Sequence, residues 1–100
     1  MVQVNWSEKA ERLLFEIAQY IAKDSVEQAI RVSGLIHEAT EVLETHPEFG
    51  AVVPECGIEN IRELRMFHYR IFYRIRETED EIEILSVYHG SRQLTGDMVE

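Results

Sequence analysis

One hundred residues, 45% hydrophobic and 29% charged, make one small folded domain and exclude a disordered chain. A formal net charge of -9, with a pI near 4.9, argues against non-specific nucleic-acid binding, which depends on neutralising phosphates. The single cysteine, Cys56, excludes an internal disulfide, and no apolar run approaches the roughly 20 residues that span a bilayer.

The amino-terminal stretch MVQVNWSEKAE has no basic segment and no long apolar segment, so it does not read as a signal peptide, and the expected location is the cytoplasm. Val2, Val4 and Trp6 alternate with Gln3 and Asn5, which predicts a short first strand. Ser7 follows as an N-cap, with Glu8 where the helix dipole favours an acid. Ala10, Leu13, Leu14, Ile17, Ala18 and Ile21 then recur at helical spacing, predicting a helix to about Lys23. Ser25-Val26-Glu27-Gln28 matches a capping box and starts a second helix, with Ala29, Val32 or Ser33, Ile36, Ala39 and Leu43 inward. That helix is expected to run to about Thr45, where His46-Pro47 ends it. A break of about two residues folds the helices into an antiparallel hairpin.

Residues 47–60 hold both prolines and read as loop, with Phe49 and Val52 or Val53 at the core edge and Cys56 as an incidental loop thiol. Residues 61–67, 69–77 and 81–89 read as strands, the last two joined by the polar turn Thr78-Glu79-Asp80. In 69–77, Tyr69, Ile71, Tyr73 and Ile75 face one way and Arg70, Phe72, Arg74 and Arg76 the other. In 81–89, Ile82, Ile84, Ser86 and Tyr88 oppose Glu81, Glu83, Leu85, Val87 and His89. Ile71 and Ile75 are expected inward, with the arginines out and Phe72 as the dissenting residue. Residues 91–100 read as a polar tail with at most one helical turn.

The expected fold is therefore a single α+β domain over residues 1–100: an N-terminal strand, an antiparallel α-helical hairpin, then a three-stranded antiparallel meander. The helices cover one face of the sheet and leave the other at least partly open. Residues 61–76 form the one basic stretch, with Arg62, Arg65, Arg70, Arg74 and Arg76 against Glu63 alone.

His37, His46, His68 and His89 are too scattered to predict a metal site, and no phosphate-binding glycine loop or other cofactor signature is present. Arg62, Arg70, Arg74 and Arg92 are candidates for an anion site, since the guanidinium fork suits phosphate and carboxylate. His89 beside Arg92, with Tyr69, Tyr73 or Tyr88, has the composition of a general acid/base set for phosphodiester cleavage. Alternating arginines on a strand also suit a solvated face, an ion-pair partner for Glu63, Glu81 and Glu83, or, ahead of catalysis, a surface for an acidic or amphipathic protein segment.

One ordered pattern spans nearly the whole chain. It comprises Trp6-Ser7, Ile17-Ala18-x-Tyr20-Ile21-Ala22, Pro47-Glu48-x-Gly50, Ile61-Arg62-Glu63-Leu64, Tyr69-Arg70-Ile71-x-Tyr73-Arg74-Ile75 and Ile84-Leu85-x-Val87-x-His89-Gly90-Ser91-Arg92. It resembles the RelE/ParE superfamily of bacterial toxins, and within it the ParE-like (plasmid stabilisation) branch. The resemblance implies the toxin of a type II toxin–antitoxin pair, silenced by a small cognate antitoxin such as a ParD-like protein in a hetero-oligomer. ParE-like members poison DNA gyrase by protein–protein contact. RelE-like members cut mRNA on the ribosome with basic residues of the sheet. Arg62, Arg70, Arg74, His89 and Arg92 fall at motif positions. RelE-like nucleases are usually strongly basic, and the acidity of this chain favours the gyrase-directed reading over the nuclease one. A non-toxic interaction module of the same fold is the third reading.

Overall fold

The computed structural model describes residues 1–100. Strand β1 (Gln3–Trp6) leads through Ser7 into helix α1 (Glu8–Ala22). The Ser7 hydroxyl accepts the Ala10 N–H at 3.0 Å and donates to the Leu85 carbonyl at 3.2 Å, so one residue caps the helix and fixes the strand exit. Ser25 caps helix α2 (Val26–Ala39) in the same way, accepting from Gln28 N–H at 3.1 Å.

Helix α2 stops at Ala39 and not at Thr45 as the spacing predicted. Thr40 is buried, donates to the His37 carbonyl at 2.8 Å and accepts from the Trp6 indole at 3.3 Å. The chain then tightens into a 3-10 turn, Glu41–Glu44, which turns Leu43 into the core.

Strands β2 (Ala51–Val52), β3 (Ile61–Met66), β4 (Tyr69–Arg76) and β5 (Glu81–His89) complete a five-stranded sheet in the order β1-β5-β4-β3-β2. The expected meander forms its centre. The sheet is mixed, because β1 adds to β5 in parallel, which the long helical crossover allows. The two-residue β2, inside what reads as loop, pairs antiparallel with β3.

The α-helical hairpin packs on one face, setting Ala10, Leu14 and Ile36, with Leu43 of the 3-10 turn, against Leu64, Ile71, Tyr73, Ile82, Ile84 and Val87. Ile71 and Tyr73 point inward as the alternation predicted. The opposite face, expected to be open, is closed by a second core of Val53, Ile61, Phe72, Leu85 and Met98. The carboxy-terminal segment supplies Leu94, Met98 and Val99 and is pinned by the Ser86 hydroxyl donating to the Met98 carbonyl. Phe72 was therefore the informative exception on its strand: this strand is buried on both faces. Phe49, expected at the core edge, is 64% exposed, and Val53 takes the buried position.

Strict alternation also fails in β5. Phe72 lies opposite Ser86 and Tyr73 opposite Ile84, leaving Leu85 as the extra residue of a β-bulge. The bulge shifts the phase, so Val87 joins the helix side while Ser86 and Tyr88 turn to the second core.

Candidate functional site

The five candidate residues occupy three separate places. Directly paired residues share a face of an antiparallel ladder, so Arg62, opposite Tyr73, lies at the edge of the helix side. Its guanidinium donates to the carbonyls of Gly50 (3.0 Å), Glu48 (3.4 Å) and Glu59 (3.2 Å). Tyr73 works from the same side: its hydroxyl accepts the Gly50 N–H at 2.9 Å and donates to the Pro47 carbonyl at 2.8 Å. Burial pushes the Tyr73 phenol above its ordinary pKa, so the hydroxyl remains a donor. Gly50 permits this approach, since a Cβ there would stand 2.5 Å from the Glu63 carbonyl oxygen. Removing the hydroxyl in Tyr73→Phe orphans a buried N–H, and an expected loss of about 1–3 kcal/mol in urea-unfolding stability checks this clamp.

Arg70, Phe72 and Arg74 face the second core. Arg70 was expected among the outward arginines, yet it is 5% exposed. It sits where the loop over that core closes down, donating bidentately to Glu55 at 2.9 and 3.0 Å and to the buried Glu63 through Nε (3.2 Å) and Nη2. The Arg65 guanidinium adds a contact to Glu63 at 3.0 Å, and the Phe72 ring lies 4.9 Å from the Arg70 guanidinium carbon. This is the ion-pair alternative in its buried form. Arg74 is partly covered, 3.8 Å from Glu83 and donating at 3.5 Å to the Val99 carbonyl.

The Arg70 hydrogen bonds hold the Glu55 carboxyl below its ordinary pKa. A carboxylate depressed in the folded state adds stability above its unfolded pKa of about 4.3, and that stability is lost as pH falls through the lower folded value. Melting temperatures followed from neutral pH down through that window are expected to fall further for the wild type than for Glu55→Gln.

His89 and Arg92 meet at the end of the sheet where β4 begins and β5 runs out, one register step beyond the Arg70–Tyr88 pair. The His89 Nδ1 accepts the Ser91 N–H at 3.1 Å and lies 2.7 Å from the Ser91 hydroxyl. Its ring packs edge-on to Tyr69, 5.6 Å between centroids, and stacks beside His68 at 6.1 Å. The Arg92 guanidinium carbon lies 4.9 Å from the Tyr88 ring centroid. Two shallow depressions of about 300 Å³ and about 290 Å³ open on either side of His89. Leu13, Tyr20 and Arg92 line the first, and Arg65, Phe67 and His68 the second.

Arg65 and His68 therefore belong to this end, and sequence reading missed them. The signal was the short turn between the strands at 61–67 and 69–77: antiparallel register carries Arg65 and His68 to the same end as His89. The turn is Phe67-His68, with Phe67 at φ 57°. The four-arginine anion site does not assemble, because Arg70 is buried, Arg62 lies at the edge of the helix side, and Arg74 and Arg92 lie at opposite ends of the sheet. No group of three or more His, Cys, Asp or Glu is placed to hold a metal ion, and no helix is long and apolar enough to cross a membrane.

The chain is 36% identical over 93 residues to the candidate toxin Y4kP of Sinorhizobium fredii, spanning 91% of each. Its fold matches that of a solved chromosomal ParDE toxin–antitoxin system from P. aeruginosa at a TM-score of 0.71, with 24% identity over 89% of this chain and 96% of that one. It also matches the isolated RelE toxin of E. coli at 0.61, with 17% identity over 93% of this chain and 88% of that one. These two likenesses speak to fold. The model of the family described as the ParE toxin of the type II toxin-antitoxin system, parDE, matches residues 4–94, and the chain belongs to that family of toxins.

Proposed function

We propose that this chain is the toxin of a type II pair that acts by protein–protein contact on DNA gyrase and is held silent by a small ParD-like antitoxin. The observation that carries the target is the commitment of the sheet arginines. Arg62 holds backbone carbonyls, Arg70 is sealed between Glu55 and Glu63, and Arg74 is drawn to Glu83 and Val99. A nuclease working on ribosome-bound RNA needs free cationic groups over the sheet, and a net charge of -9 opposes such a target further. The antitoxin part rests on family membership and on solved relatives that are themselves toxin–antitoxin complexes, among them RelBE2 of Mycobacterium tuberculosis.

The ribonuclease reading keeps one observation in its favour. His89, with Arg65, His68 and Arg92 nearby, forms a small basic end around an exposed imidazole whose Nδ1 is engaged by Ser91. Induced expression separates the two. The gyrase reading expects growth arrest, relieved by the antitoxin, with transcripts intact and with His89→Ala still toxic. Codon-positioned mRNA cuts that His89→Ala abolishes would establish the ribonuclease instead. Absence of any growth defect would leave an interaction module.

A further inference from the structure

A partly apolar cleft lies at the end of the sheet away from His89, where β1 and β5 begin and β4 ends. It is a cleft of about 540 Å³ whose floor and walls include Val2, Pro47, Phe49 and Ile75. Phe49 is 64% exposed and belongs to neither core.

The segment carrying it is held rigidly. Residues 47–50 are clamped by both hydrogen bonds of the Tyr73 hydroxyl and by the Arg62 guanidinium on two carbonyls. The Phe49 N–H adds a turn bond to the His46 carbonyl at 3.0 Å. The ring is therefore displayed on a fixed support, which lowers the ordering cost of binding at this spot.

The rim sets the charge of the occupant. Glu48, Glu77, Asp80 and Glu81 line the cleft, and none of them forms an ion pair within the chain. One cation, Arg76, also lines the cleft across from Glu81, and its guanidinium is engaged by Glu83 at 2.7 Å and Glu79 at 3.9 Å. His46, also at the cleft, engages the Thr45 hydroxyl at 2.9 Å through Nδ1. A partly apolar cleft with a displayed aromatic ring and a rim of unpaired carboxylates complements a segment in which a large apolar side chain is flanked by Arg or Lys.

We propose that this cleft is a docking site for a cationic segment of a partner protein, anchored by one aromatic or large aliphatic side chain against Phe49 and by basic side chains on Glu48, Glu77, Asp80 and Glu81. The site is distinct from the His89 end and does not depend on which cellular target the toxin reading favours.

The test uses the purified full chain and two end-blocked hexapeptides, one alternating arginine with leucine and one with glutamate in place of arginine. Titration followed by amide NMR is expected to shift Val2, Phe49, Ile75 and residues 77–81 with the arginine peptide only. Affinity should weaken several-fold between about 50 and about 200 mM salt. The triple change Glu77→Gln, Asp80→Asn and Glu81→Gln should weaken binding about tenfold with the melting temperature retained. Phe49→Ser, an exposed change, should weaken it as well. Shifts centred on the helices or on the His89 end, equal binding of the glutamate peptide, or unchanged affinity of the triple variant would overturn the proposal. Shifts at the cleft that grow with protein concentration alone would assign it to a second copy of this chain and also overturn it.

Discussion

Arg70→Met is expected to destabilise the protein by about 3–5 kcal/mol, measured as the change in unfolding free energy from urea titration. The loss would not come from attraction alone. Arg70 and Glu63 are both nearly excluded from water, with side chains 6% and 5% exposed. Removing the guanidinium leaves the buried Glu63 carboxylate with only the largely exposed Arg65 as a partner, and Glu55, 45% exposed, is released into solvent. With Glu55 goes the tie that draws its loop over Val53 and Phe72. The double variant Arg70→Met, Glu63→Gln should recover part of the loss, since a neutral amide costs less to bury than an unpaired charge. A change below about 1 kcal/mol in the single variant would mean that Arg70 is free in solution, and would return it to the pool of candidate RNA-binding residues.

Phe72→Ala is expected to cost about 3–5 kcal/mol, by lost burial and by the cavity left among Ile61, Leu85 and Met98. Phe49→Ala is expected to change stability by less than about 0.5 kcal/mol. Both are phenylalanines in stretches that sequence reading left ambiguous, and the structure assigns them opposite roles: Phe72 is 1% exposed and Phe49 64%. Thermal or urea unfolding of the two variants side by side checks that contrast. Similar losses for both would contradict the two-core arrangement.

Elements whose signals are local could be read directly from the chain. Ser7 and Ser25 mark helix starts because an N-cap hydroxyl satisfies backbone donors within three residues of itself. Tyr69, Ile71, Tyr73 and Ile75 declare a strand and its inner face by period two. The features that escaped are the ones set by distant partners. The second core depends on Leu94, Met98 and Val99, which look like isolated apolar residues in a polar tail until Phe72 and Leu85 are found beneath them. The bulge at Leu85 has no glycine or proline to announce it and follows from fitting β5 to β4. The two-residue β2 is too short for any periodicity, and the end of α2 is marked by Thr40 meeting Trp6 of β1.

The candidate site was legible in its members more than in its grouping. Strand parity alone separates Arg62 from Arg70 and Arg74, because Arg62 pairs with Tyr73 while Glu63 pairs with Phe72. A charge-based grouping along the sequence ignores that parity. The burial of Arg70 was hinted at by Glu55 and Glu63, whose acidic side chains match the guanidinium, but the loop closure that brings Glu55 in is tertiary. The pairing of His89 with His68 follows from the hairpin register and needed no more than the β3–β4 turn to be placed.

The central claim concerns what the toxin touches, and purified components test it most directly. Negative supercoiling of relaxed plasmid by DNA gyrase, with and without this protein, is expected to be inhibited and to accumulate a trapped, cleaved gyrase–DNA complex. The His89→Ala and Arg92→Ala variants should inhibit as well as the wild type, and the cognate antitoxin should restore supercoiling. Unimpaired supercoiling with no trapped complex, at protein concentrations well above those of gyrase, would contradict the account.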